Sequence, residues 1–98
     1  MGMIEADTVE ISGSKYEYIK VPMAKAPLLL LKGRKGFVMC GYLNLDAANK
    51  LGDCAVRVSG VSDLKTLLNS KAAGVSEEAK KLGISEGQNV SDFIHLLA

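Results

Sequence analysis

Cys40 has the clearest chemical potential in this sequence, because it lies next to a glycine at the end of a predicted strand. Residues 36–42 read G-F-V-M-C-G-Y, and the chain then turns into a helix that Asn44 can cap. Unpaired N–H groups at the start of a helix stabilise a thiolate, the reactive form of cysteine. Cys40 is therefore a candidate catalytic residue, with Gly41 and Asn44 as candidate ligand-binding residues. A role as a small apolar core residue is the alternative.

A catalytic thiol also needs a base, and the sequence offers few. Its single histidine, His95, falls in the last predicted helix, on the side away from the apolar residues. With Cys40 and Cys54 it makes three metal ligands at most, without the C-x-x-C spacing of zinc sites. We expect no metal and no cofactor.

The basic segment K-G-R-K-G at residues 32–36 does not predict a phosphate loop. It matches neither glycine-rich nucleotide motif, and it joins two strands rather than a strand and a helix. Anion binding at Lys32, Arg34 and Lys35 is kept as a third hypothesis. Binding of nucleic acid on a sheet requires interleaved aromatic residues, whereas Tyr16 and Tyr18 have the spacing of packing residues. With a net charge of +1, we expect no nucleic-acid partner.

The elements that position these residues divide the chain into strands and then helices. Met3 and Ile4 begin an alternating strand that ends in a turn around Gly13, and a second alternating strand stops at Pro22. A second hairpin covers residues 28–42. Ninety-eight residues are enough for one domain with a thin core, spanning residues 1–98.

The second half of the sequence predicts capped helices around one strand at residues 54–59. Asn44, Ser62, Ser76 and Ser91 stand where helix N-caps are expected, and glycines follow several of the helices. The fold class is α+β. We expect a two-layer α/β sandwich, with a mostly antiparallel sheet from the N-terminal half packed by C-terminal helices.

The location of the protein is predicted from what its sequence lacks. Its longest apolar run, residues 26–31, is too short to span a membrane, and its first residues do not read as a signal peptide. We therefore expect a cytoplasmic protein with both thiols reduced.

Three segments in order, G-F-V-M-C-G-Y-L-N, A-V-R-V-S-G-V-S-D-L-K-T-L-L and A-K-K-L-G-I-S-E-G, resemble the YunC-like family, a domain of unknown function (DUF1805). The resemblance covers residue 19 to the last residue. It implies a two-layer α/β sandwich in which the N-terminal strands, residues 1–22, form a homotetramer and residues 23–98 form the core. It implies no reaction, substrate or cofactor. Family members commonly have aspartate where this chain has Asn44, so the role of that position is not carried over.

Two functions follow as hypotheses, and the sequence does not decide whether the protein is an enzyme. The first is an oligomeric binding or regulatory module, with a small-molecule ligand and no chemistry of its own. The second is a thiol-dependent enzyme or redox protein that uses Cys40. In both, the site is expected at the turn from Cys40 to Asn44.

Overall fold

The strands of this chain form a single six-stranded sheet, in the same order as in the sequence. The computed structural model describes residues 4–98, so Met3 lies outside the described residues. The strands are β1 (Glu5–Ile11), β2 (Ser14–Val21), β3 (Leu28–Lys32), β4 (Phe37–Met39), β5 (Ala55–Arg57) and β6 (Gly74–Val75). The helices are α1 (Leu45–Leu51), α2 (Leu64–Leu68), α3 (Glu77–Lys81) and α4 (Val90–Phe93), followed by a 3₁₀ helix (Ile94–Leu97). The predicted α+β class and mostly antiparallel sheet are confirmed. None of the helices in residues 4–98 is long and apolar enough to cross a membrane.

The first hairpin closes through a two-residue turn at Ser12 and Gly13. Both residues have positive φ, 51° and 85°, which a tight turn between twisted strands requires. The register of β1 against β2 then places Tyr16 and Tyr18 on the inner face, as predicted. The Tyr16 hydroxyl donates to the carbonyl of Ile94 at 2.9 Å, which ties the hairpin to the last helix.

The sheet carries helices on both faces, and each face has its own apolar cluster. The larger cluster packs α2, α3, α4 and the 3₁₀ helix against the residues of one face, among them Leu29, Leu31, Val38 and Val56. The smaller cluster packs Ala48 of α1 against Met39 and Ala55 on the other face. Helix α1 crosses over because β4 and β5 are the one parallel pair among the described strands, and parallel neighbours need a long connection.

Four local predictions differ from the structure. Ser91 is not an N-cap, because α4 already begins at Val90 after Asn89 and Ser91 lies inside the helix. Strand β6 was not predicted, because two residues are too short for a periodic pattern. Helix α2 is capped by Asp63 rather than Ser62, since the Asp63 side chain accepts from the Thr66 N–H while the Asp63 N–H donates to Thr66 Oγ1, which closes a capping box. Its spacing from Ala79 in the helix after Ser76 predicts that Leu82 faces inward, but Leu82 is 38% exposed. Gly83, with a φ of 92°, turns the chain after α3, and Ile84 enters the core in its place.

Candidate functional site

The predicted turn lies at the carboxyl ends of the two parallel strands. β4 ends at Met39 and β5 ends at Arg57, and these two residues are partners in the register. The Val58 N–H donates to the carbonyl of Met39 at 2.8 Å, so the segments that leave the two strands lie side by side. Ligands of open α/β sheets bind in crevices outside the carboxyl ends of such strands.

Cys40 lies in the larger apolar cluster and is 4% exposed. Its N–H donates to the carbonyl of Leu29 at 3.1 Å, as in a regular antiparallel ladder. Its own carbonyl, however, accepts from Leu43 at 3.2 Å, because the chain has begun to turn. The Sγ atom takes the place of that carbonyl and accepts the N–H of Leu29 at 3.3 Å. The thiol therefore completes the end of the β3–β4 ladder.

Asn44 and Gly41 have clearly different surroundings. The Asn44 Oδ1 atom accepts from Asp46 N at 2.8 Å and from Ala47 N at 3.2 Å, which caps α1 as its residue type predicts. Gly41 is exposed, and a Cβ atom built on it would meet nothing within 4 Å. Its backbone does not adopt the left-handed conformation, so neither a bulge nor a close approach explains this glycine.

Two clefts open on either side of Gly41 and Tyr42. The cleft that we call the Cys40 cleft has a volume of about 490 Å³. It is lined by Lys25, Ala26, Pro27, Cys40, Gly41, Tyr42, Ser59, Gly60, Val61 and Ser62. The second, which we call the Arg57 cleft, has a volume of about 440 Å³ and is lined by Gly41, Tyr42, Leu43, Asn44, Leu45, Asp46 and Arg57. The three residues singled out from the sequence thus lie on one turn, which borders both clefts.

Arg57 borders the Arg57 cleft and was not singled out from the sequence. It is the last residue of β5 and points to the face that carries α1, opposite Gly74 of β6. A Cβ atom on Gly74 would lie 2.8 Å from Leu45 Cδ2 and 3.5 Å from Arg57 Nε, so the bare backbone makes room for Leu45, while Arg57 would stay at ordinary contact distance. Arg57 Nε is buried and has no hydrogen-bond partner among residues 4–98. A single arginine in the apolar strand A-V-R-V was the signal that could have identified it.

Other candidates from the sequence lie elsewhere or are occupied. His95 is exposed in the 3₁₀ helix and borders neither cleft. Burial raises the pKa values of Tyr16 and Tyr18, which are core residues and form no exposed stacking surface. Within the part of the chain that the structure describes, no group of three or more His, Cys, Asp or Glu residues could hold a metal ion.

The basic turn between β3 and β4 does not form part of either cleft. Lys32 pairs with Glu17 across the strands at 3.8 Å, and both side chains are exposed. Arg34 and Lys35 border a separate cleft together with Glu10. Anion binding at this turn stays a prediction that the geometry does not strengthen.

The fold of this chain also occurs in a known protein structure. The chain belongs to the family described as a domain of unknown function (DUF1805), whose model matches residues 39–97. The match begins at Met39, at the end of β4, and extends through the 3₁₀ helix. The resemblance inferred from the M-C-G segment is therefore confirmed.

Two similar proteins extend the likeness over almost the whole chain. The chain is 26% identical over 91 residues to the uncharacterized protein YunC of Bacillus subtilis (strain 168), which covers 89% of this chain and 90% of that protein. It is 45% identical to TA1206 of Thermoplasma acidophilum, a protein of unknown function with a crystal structure. The TM-score is 0.95, and the match covers 98% of this chain and 94% of that one. None of these descriptions states an activity.

Proposed function

We propose that this protein is a small-molecule binding module with no chemistry of its own, and that its ligand lies at the turn of Gly41 and Tyr42. The observation that carries the proposal is the position of this turn, between two open clefts at the carboxyl ends of the parallel pair. Tyr42 is 48% exposed there, so an aromatic surface is available to a ligand. Gly41 borders both clefts, and the space beside its backbone is open.

The state of the Cys40 thiol favours binding over catalysis. A nucleophilic thiol must be accessible and must have a base within hydrogen-bond reach. The thiol is almost fully buried, and its partner is a backbone N–H that it must keep to complete the ladder. Among residues 4–98, no histidine or carboxylate borders the Cys40 cleft. The thiol-dependent enzyme is the less supported hypothesis.

A Gly41→Val substitution tests the proposed site without disturbing the fold. The space around a Cβ atom at this position is open, so we expect an unchanged melting temperature. A set of small metabolites is screened by ¹H–¹⁵N NMR, and binders are expected to shift the amide signals of residues 40–46 and 58–62 in the original protein only. The control is Ala6→Val, on an exposed position of β1, which should leave binding intact. Binding that survives Gly41→Val would reject this site.

We propose in addition that the protein assembles with itself, as a homotetramer in the cytoplasm. Helix α1 covers the outer face of β4 and β5, whereas Ile19, Val21 and Leu30 on the outer face of β2 and β3 are only partly buried. An adjoining apolar cleft of about 390 Å³ includes Leu30 and also Leu51, which is 77% exposed. The face carries both Glu17 and Lys32, so two copies related by a two-fold axis can pair opposite charges.

The test of self-assembly replaces an outer-face residue rather than deleting the hairpin, because Tyr16 and Tyr18 are part of the core. Light scattering with size exclusion should give a multiple of the 10.4 kDa chain mass for the original protein and a smaller mass for Ile19→Lys. Leu82→Lys, on the opposite layer, is the control and should keep the assembly. A single-chain mass for the original protein would overturn this proposal.

A further inference from the structure

Arg57 is held in place by apolar contacts and has no polar partner. Its guanidinium lies over the bare backbone of Gly74, with Leu45 beside it. No ion pair or side-chain hydrogen bond of Arg57 is present within residues 4–98, and its Nε atom is buried without an acceptor. A charged group that is positioned but unpaired contributes little to the stability of the fold, and such groups cluster at functional sites.

The rest of the Arg57 cleft offers polar groups suited to a small polar ligand. The Asn44 Oδ1 atom is used by the helix cap, which leaves the Asn44 amide group to donate to the cleft. Asp46 also borders the cleft and is exposed. Its negative charge disfavours ligands of high charge and favours a ligand with one anionic group.

We propose that the ligand of this cleft carries a carboxylate or phosphate group, and that Arg57 binds that group. The inference rests on the proposed binding function and adds the chemical class of the ligand. Guanidinium groups bind both oxyanions through paired N–H donors, and the strength of such bonds increases where water is partly excluded. Gly74 acts as a positioning residue, because a Cβ atom there would lie 2.8 Å from Leu45 Cδ2 and shift that side chain, which lies beside the guanidinium.

The test is a titration with inorganic phosphate and with acetate, which each carry one anionic group, at constant ionic strength, followed by ¹H–¹⁵N NMR of the full chain. The two arginines of this sequence provide an internal comparison. The Nε–H signal of Arg57 is expected to be protected from solvent exchange and to shift with saturation, together with the amide signals of residues 41–46. Arg34, exposed in the turn between β3 and β4, should give a small shift without saturation. The probe that binds with the higher affinity identifies the anionic group, carboxylate or phosphate, that Arg57 prefers.

Three variants separate a binding role of Arg57 from a structural one. Arg57→Met keeps the aliphatic stem, so it should abolish the saturable shift while the melting temperature stays equal or rises, because the unpaired polar group is removed. Arg57→Lys keeps the charge but loses the paired donors, and should weaken binding at least threefold. Asp46→Asn should strengthen binding about two- to threefold, as expected from removing one charge at the edge of a solvent-exposed cleft.

The outcomes distinguish the anion inference from the binding function on which it rests. Saturable shifts of Arg57 that disappear in Arg57→Met support the inference. If uncharged metabolites shift Gly41 and Tyr42 while both anions leave Arg57 unmoved, the cleft binds a different class of ligand and the inference is wrong. If no compound shifts residues 41–46, both proposals are wrong. A melting temperature lowered by Arg57→Met would assign Arg57 to the fold instead.

Discussion

The replacement of Cys40 by alanine tests whether this thiol completes the ladder between β3 and β4. The change removes the Sγ acceptor of the Leu29 N–H, which is 3.3 Å away, and leaves that buried donor without a partner. An unsatisfied buried group costs about 1–3 kcal/mol, and the low end applies because sulfur is a weak acceptor. The lost burial of one atom adds about 1 kcal/mol. We therefore expect a loss of about 2 kcal/mol in the free energy of unfolding, or roughly 10 °C in melting temperature for a domain of this size.

Cys54→Ala is the matched control, because its thiol is only partly buried and makes no hydrogen bond within residues 4–98. Urea unfolding should show a loss of about 1 kcal/mol or less for this variant. Hydrogen exchange adds a local readout: in Cys40→Ala the Leu29 amide should exchange faster than the change in global stability explains. Equal stability losses for the two variants, with an unchanged Leu29 amide, would refute the structural role of Cys40.

Three further predictions use the pKa shifts and the caps. Burial, together with the charge of Glu78, raises the pKa of the Cys54 thiol, so iodoacetamide at neutral pH should modify Cys54 more slowly than it modifies free glutathione. Cys40 should react only as the protein unfolds. Rapid modification of Cys40 in the folded protein would favour the hypothesis of a thiol-dependent enzyme. Burial raises the pKa of Tyr16, so the contribution of Tyr16 to stability is complete below the tyrosine pKa of the unfolded chain and is lost as pH rises through the folded pKa. Tyr16→Phe should lower the free energy of unfolding by about 1–2 kcal/mol, because its buried hydrogen bond is lost. In urea titrations this variant should also lose less stability at alkaline pH than the original protein. The hydrogen bonds from the Thr66 backbone and side chain lower the pKa of Asp63, so the cap stabilises the fold at neutral pH, and this effect is lost as pH falls through the folded pKa. At pH 7, Asp63→Ala should therefore have a lower melting temperature than the original protein. In acid the two melting temperatures should approach each other.

Most of the fold could be predicted from the sequence because its signals are local. Alternation along β2 and a glycine turn fix the first hairpin, and short polar residues with glycine stops fix α1 and α3. Asn44 and Gly52 were both predicted at the ends of α1, and the structure confirms both roles. These features depend on neighbouring residues alone, so one sequence is enough to find them.

The parts that were not predicted depend on contacts between distant residues. The parallel pairing of β4 with β5 places α1 on the opposite face from the other helices, and no local pattern specifies that choice. Strand β6 forms because Gly74 and Val75 find partners in β5, seventeen or more residues earlier in the chain. The position of the Arg57 guanidinium depends on its pairing with Gly74 in the neighbouring strand, so the arginine could not be recognised as a candidate from the sequence alone.

Three departures from local regularity meet at the carboxyl ends of β4 and β5. A sulfur atom replaces a carbonyl in the ladder, an arginine is buried at its Nε without a partner within residues 4–98, and a glycine occupies a strand position where a Cβ atom would press on Leu45. The sulfur atom of Cys40 has a structural role, since it accepts the hydrogen bond of the Leu29 N–H. The other two leave a positioned positive charge facing a cleft, and nothing in the described fold requires it. Since sequences depart from their own folding rules mainly where function requires it, these two departures support the proposal that the ligand binds at Arg57 rather than at Cys40.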